Sequence, residues 1–213
     1  MEFYLTVAAL CIVAYLLGSI SFSIIITERL IHKDIRDFGS GNAGGTNVIR
    51  VLGAKKGVLV MVLDMLKGLV AVLLARLILG SAGDLYLAII AFFAVMGHLF
   101  PVFYGFKGGK GIAVTAGVLL GITPLTMLSL LVMWGIIVAI TKYVSLGSVA
   151  AGFMTPVFYF LYTHFLFKVP FETVIWPTAV FAAIGTAAII SHRANIVRLI
   201  KGTESKIGSK KDK

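Results

Sequence analysis

Long apolar runs separated by short polar intervals fill nearly the whole chain. They cover 3–27, 56–79, 85–103, 111–122, 124–141, 145–167 and 172–191. A helix needs about 20 apolar residues to cross the hydrocarbon core of a bilayer, so the pattern predicts seven membrane-spanning helices. The fourth run is short, opening at Gly111 and ending where Gly121 and Ile122 meet Thr123 and Pro124. It reads as a half-length span or a re-entrant piece, and either survives in a membrane only where protein surrounds it. The first run has Glu2 ahead of it and no basic flank, and it is too long for a signal-peptide core, so it reads as a retained helix. Small residues from Gly18 to Ser23 suit close helix packing. Pro156 and Pro177 lie inside spans and predict kinks. The expected fold is all-α and polytopic, one membrane domain over 1–205 followed by a basic, flexible tail over 206–213.

Composition agrees with the pattern. With 59% hydrophobic and 13% charged residues, a water-soluble globular fold and intrinsic disorder are both excluded. The net charge of +10 would suggest a nucleic-acid partner if it were spread along the chain. Instead the basic residues form islands at 29–56, 107–110 and 193–213, between and after spans, so no nucleic-acid partner is expected.

Seven crossings with the N-terminus outside place Arg29, Lys33, Arg36, Arg50, Lys55, Lys56, Lys107, Lys110, Lys142 and the tail from Arg193 on one side. The other side receives Glu2, Asp84, Glu172 and, among basic residues, Lys168. Six crossings would strand the basic tail outside. The positive-inside rule therefore selects seven spans and a cytoplasmic C-terminus. The single cysteine, Cys11, leaves no disulfide framework and no cysteine metal cluster.

Dense polar sequence occurs in three blocks, all on the basic side. The first runs from Phe38 to Arg50. Gly39, Gly41 and Gly44 have G-x-G-x-x-G spacing, but a membrane helix precedes them and an apolar span follows, so no dinucleotide fold is implied. The remaining physics is local. Glycines allow amides to converge on an anion, Ser40, Asn42, Thr46 and Asn47 are neutral donors, and Arg50 offers a planar fork suited to phosphate.

The second block runs from Gly97 and His98 through Pro101 to Lys107, Gly108, Gly109, Lys110 and Gly111. It is one residue short of a P-loop and has glycine where the magnesium-holding Ser or Thr belongs, so triphosphate hydrolysis is not expected. Two lysines among glycines at a helix start still describe a phosphate cradle. In the third block His192, Asn195 and Arg198 are spaced i, i+3 and i+6, within about a third of a helix circumference. Asp64 and Lys67 lie inside the second span, at a spacing that fits either a self-satisfying pair or a substrate role.

These three blocks, in this order and each after its expected span, resemble the motifs of the bacterial glycerol-3-phosphate acyltransferases that use acyl phosphate as donor. The resemblance covers nearly the full length. It rests on Gly39, Ser40, Gly41, Asn42, Gly44, Thr46, Asn47 and Arg50, then on Gly97, His98, Pro101 and Phe106 to Gly111, then on His192, Asn195, Arg198 and Glu204. Gly45 stands where alanine is more usual, and Val114 is a minor variation.

The resemblance implies transfer of an acyl group from acyl phosphate to glycerol 3-phosphate, yielding lysophosphatidate and inorganic phosphate. Acyl-CoA and acyl carrier protein are not expected as donors, nor is an acyl-enzyme. It implies an active site on the cytoplasmic face of the bacterial inner membrane, with no cofactor, metal or obligate protein partner. Ser40, Arg50, Lys110, His192 and Asn195 become the expected catalytic set. Gly39, Gly41, Asn42, Gly44, Thr46, Asn47, Lys107, Gly108, Gly109, Gly111 and Arg198 become the expected phosphate ligands. Asp64, Lys67, His98 and Glu204 are candidates for structural or site support, the role of the Asp64 and Lys67 pair staying open, and Glu204 is expected to pair with Lys201 or an arginine. Either His192 or a substrate phosphate oxygen takes the proton. The competing class is a transporter of small anions, which a basic rim and an intramembrane ion pair would also serve.

Overall fold

A computed structural model describes residues 1–80 and 83–207. The helices are α1 (Glu2–Ser19), α2 (Phe22–Ile31), α3 (Gly45–Leu52), α4 (Ala54–Leu79), α5 (Asp84–Leu99), α6 (Ile112–Ile122), α7 (Pro124–Thr141), α8 (Val144–Phe160), α9 (Phe171–Ser191) and α10 (Arg193–Ile200). No strand occurs among the described residues. Six segments are long and apolar enough to cross a membrane: Glu2–Ile31, Ala54–Leu79, Asp84–Tyr104, Pro124–Thr141, Val144–Leu166 and Phe171–Ser191. The segment at the expected fourth span, α6, has 11 residues, which at 1.5 Å per residue covers about 16 Å, roughly half the hydrocarbon core.

Two features differ from unbroken rods. The first span is interrupted at Ile20 and Ser21, both with extended backbone, so α1 ends there and α2 begins. The fifth long segment ends in a π-helical stretch, Leu161–Leu166, beyond Pro156. Proline has no N–H for the carbonyl four residues back, here that of Gly152. That carbonyl faces Gly185 of α9 so closely that a Cβ on Gly185 would collide with it.

Small residues bring the helices together. A Cβ on Gly18 of α1 would overlap the backbone of Ala94 in α5, and one on Gly117 of α6 would overlap that of Met65 in α4. Packing of this kind substitutes for the hydrophobic drive that lipid removes. Gly68 of α4 faces Val114, and Gly117 and Gly121 of α6 face Met65 and Val72, so α6 packs closely along the middle of α4. It then hands the chain to α7, a segment of spanning length.

The polar intervals meet at one end of the bundle. Arg36 Nη1 donates to the carbonyls of Tyr104 (2.8 Å) and Lys107 (3.1 Å), Lys110 reaches Asn195, and the Ile207 N–H donates to Lys142 O at 2.9 Å. Lys206 Nζ lies 5.3 Å from the centre of the Tyr143 ring. Residues 208–213, the rest of the expected tail, lie outside the described residues.

Candidate functional site

The first glycine-rich loop is built around one amide side chain. Asn47, buried, shares its two Nδ2 protons among the carbonyls of Ile35 (3.1 Å), Phe38 (2.9 Å) and Asn42 (3.1 Å), and its Oδ1 accepts the Ser40 N–H at 2.9 Å. Gly39 has φ +57°, and any Cβ there would strike Asn47 Oδ1. The Gly41 N–H donates to Phe38 O and the Gly44 N–H to Asn42 O, both at 3.0 Å. Those two N–H groups close the loop on itself in this structure. Asn47 likewise spends its amide inside the loop and shapes the backbone. Gly39, Ser40 and Gly41 are exposed at the tip, whereas Asn42, Gly44, Thr46 and Arg50 are half-buried.

The second loop is closed in the same way. Its glycine amides turn inward, Gly108 to Leu99 O and Gly109 to His98 O, both at 3.1 Å. These two glycines serve close approach. A Cβ on Gly108 would collide with the His98 carbonyl, and one on Gly109 would collide with the His98 ring while standing 2.7 Å from Ala43 O. The Ala43 contact is where the first loop touches the second. Gly111, with φ +82°, turns the chain into α6. Lys110 is half-buried, while Lys107 is exposed.

At the end of α9 the third block completes the cluster. His192 Nδ1 donates to Ala188 O at 2.8 Å, leaving Nε2 as the acceptor of a neutral ring. Lys110 Nζ donates to Asn195 Oδ1, and Asn195 Nδ2 donates to Glu204 Oε1 at 2.6 Å. Glu204 also accepts from Ser145 Oγ (2.8 Å) and Arg198 Nε (2.6 Å), so its expected partner is Arg198. Burial opposes ionisation of Glu204, but hydrogen bonds from Asn195, Ser145 and Arg198 outweigh it and hold the carboxyl below its ordinary value.

The electrostatics are those of an anion site. Burial pushes Lys110 down to about 8; Arg198 and Arg50 push the same way and Glu204 opposes them. Burial also brings His192 down to about 4, reinforced by Lys110 and opposed by the Ala188 hydrogen bond and by Glu204. Arg50, Lys110, Arg198 and His192 thus come from three separate parts of the chain to one place. Asp64, Lys67 and His98 form a buried group behind the second loop. Cys11 is buried in α1, and no group of three His, Cys, Asp or Glu suited to a metal ion occurs among the described residues.

Sequence reasoning counted Arg36 only toward topology. Its guanidinium ties the two glycine-rich loops, held by Asp34, whose carboxylate accepts from Arg36 Nη2 at 2.7 Å. The cue was Asp34 two residues ahead of Arg36, just before the glycines. Ser145 gave no local cue, since it meets Glu204 from 59 positions away.

Comparison with known proteins agrees with this constellation. The family model described as glycerol-3-phosphate acyltransferase matches residues 8–202. The chain is 43% identical to the glycerol-3-phosphate acyltransferase of Clostridioides difficile, over 95% of this chain and 96% of that one. It is 42% identical to that of Finegoldia magna, over 96% and 98% respectively. Among solved structures it resembles the glycerol 3-phosphate form of PlsY, an integral membrane glycerol 3-phosphate acyltransferase, with TM-score 0.83, 39% identity, 95% of this chain and 96% of that chain covered. The lysophosphatidic acid form of PlsY matches with TM-score 0.81 and 37% identity, over the same shares.

Proposed function

Because this chain belongs to the glycerol-3-phosphate acyltransferase family, we propose that it moves a fatty acyl group from acyl phosphate to the sn-1 hydroxyl of glycerol 3-phosphate at the cytoplasmic face of the bacterial inner membrane. The products are lysophosphatidic acid and inorganic phosphate. The observation that carries this reading is the convergence of Lys110, Arg50 and Arg198 around His192 and Asn195, at the end of the bundle where the helices leave the membrane. Both substrates carry phosphate, and the donor also carries a chain that stays among the helices while its anhydride reaches the rim.

The acceptor oxygen attacks the acyl carbonyl carbon, a new C–O bond forms, and the bond to the phosphate oxygen breaks. Phosphate is a good leaving group, so no covalent nucleophile is needed. Lys110, Arg50 and the Ser40 hydroxyl stabilise the charge that develops. Asn195, held between Lys110 and Glu204, fixes where the ammonium sits.

The proton has two possible acceptors, and their basicities differ. A phosphate monoester has a second pKa of about 6, whereas His192 stands at about 4. Burial and the nearby Lys110 hold His192 low, which supports a substrate phosphate oxygen as the acceptor of the proton, with His192 orienting the reactants through Nε2. Purified protein in detergent, given acyl phosphate and glycerol 3-phosphate, is expected to release phosphate without any sealed compartment. It is expected to stay inactive with acyl-CoA or acyl carrier protein. Activity with acyl-CoA would overturn the donor; phosphate uptake confined to sealed vesicles, without release in detergent, would favour an anion transporter.

A further inference from the structure

The mechanism leaves one buried polar group unused. Asp64 (2% exposed), Lys67 (6%) and His98 (6%) meet inside the bundle, where unneeded charge is costly. The Lys67 ammonium donates to the Ile20 carbonyl at 2.5 Å and meets His98 Nδ1 at 3.0 Å. It also lies 2.8 Å from Asp64 Oδ1 as an ion pair, although that oxygen makes no hydrogen bond in good geometry. Ile20 presents its carbonyl because α1 ends there.

Asp64 Oδ1 also faces His98 Nδ1, at 3.6 Å, but the closer neighbour is Lys67 at 3.0 Å; a charged Lys67 can only donate, which makes Nδ1 the acceptor and puts the proton of a neutral ring on Nε2. That nitrogen lies at the junction of the two glycine-rich loops. A Cβ on Gly109 would overlap His98 Nε2 and also stand 2.7 Å from Ala43 O. The His98 backbone carbonyl takes the Gly109 N–H at 3.1 Å, immediately before Lys110.

We propose that Asp64 and Lys67 are positioning residues that hold His98 in its Nε2–H form, with that proton turned toward the Ala43 carbonyl, and so set the spacing between the two glycine-rich loops. Lys110 follows the second loop and Ser40 belongs to the first, so this spacing fixes where their groups meet phosphate. The inference rests on the reading of these loops as the phosphate site. Asp64 and Lys67 are buried inside the bundle, behind the second loop. The pair acts through one imidazole, much as a second layer orients metal-binding histidines.

Nitrogen-15 NMR of histidine-labelled protein, with the His98 signals identified by their loss in His98→Asn, is expected to show the Nε2-protonated tautomer. The paired variant Asp64→Leu/Lys67→Met removes both charges together, which leaves no unpaired ion behind. It is expected to give a mixed tautomer and a KM for glycerol 3-phosphate raised about tenfold to a hundredfold, with kcat falling less. His98→Asn keeps an acceptor for Lys67 but loses the second nitrogen, and is expected to raise KM likewise. An Nδ1-protonated His98 in the unmodified protein would overturn the proposal. So would an unchanged KM in His98→Asn, including one accompanied only by a lower melting temperature. If the paired variant does not fold, the tautomer and His98→Asn decide alone. Lys110→Met separates the underlying reading: an unchanged KM there rejects the phosphate site, while the tautomer still reports on the pair.

Discussion

Lys110 carries the most testable chemistry in a single side chain. A lysine brought down to about 8 is protonated at neutral pH and loses its charge as pH rises through that value. The KM for glycerol 3-phosphate is therefore expected to climb above pH 8 or so, and binding of the dianion to draw a proton onto the enzyme in that range. Lys110→Met should raise KM at pH 7 and remove the alkaline limb, as steady-state kinetics against pH will show. His192 behaves oppositely. At about 4 it is neutral throughout the physiological range, so an ascending limb of kcat/KM near pH 6 belongs to substrate phosphate. That limb is expected to persist in His192→Asn; its disappearance would make His192 the base. On the basic side, His192 and Asn195 were legible as polar groups at helical spacing, and Lys110 as a lysine in a glycine-rich loop. The direction of the glycine amides was not, because Asn47, seven positions beyond Ser40, folds the loop back on itself.

At the level of elements, α10 and the residues after it are held by one carboxylate. Glu204 collects Asn195 of α10, Arg198 of the same helix and Ser145 of α8. Replacing it with leucine strands three donors, and a loss of about 3–5 kcal/mol is expected from thermal unfolding in detergent. Its depressed pKa gives the acid dependence its sign: the contribution is present above the unfolded carboxyl value of about 4.3 and is lost as pH falls through the folded one.

The contact of α3 with α4 is equally specific. A Cβ on Gly45 would strike Met61 and approach Gly57 O to 2.9 Å, so the alanine usual in the resembled family does not fit this chain unchanged. Gly45→Ala is expected to cost about 1–3 kcal/mol, and Met61→Ala in the same chain to recover part of it. The spans could be read directly because length and apolarity suffice to predict a membrane helix. The break between α1 and α2 could not, since Ile20, Ser21 and Phe22 are compatible with helix and the carbonyl it exposes is met by Lys67, 47 residues away.

For the whole molecule, the asymmetry of charge and the gathering of all basic loops at one end predict a fixed orientation. In a Cys11→Ala background, Lys55→Cys and Lys142→Cys are expected to react with an impermeant thiol reagent only when the cytoplasmic face is open to it. Glu172→Cys is expected to react from outside. The reverse pattern would invert the topology and move the active site to the other face.

The link between Lys67 and the broken first span also bears on how the chain is made. A second span carrying Asp64 and Lys67 enters the bilayer against a penalty of a few kcal/mol per charge. The Ile20 carbonyl and Asp64 both precede Lys67 in synthesis, whereas His98 emerges 31 residues later. The first two spans therefore have reason to leave the insertion machinery as a pair, with the third arriving to cap the last proton of an ammonium already partly satisfied.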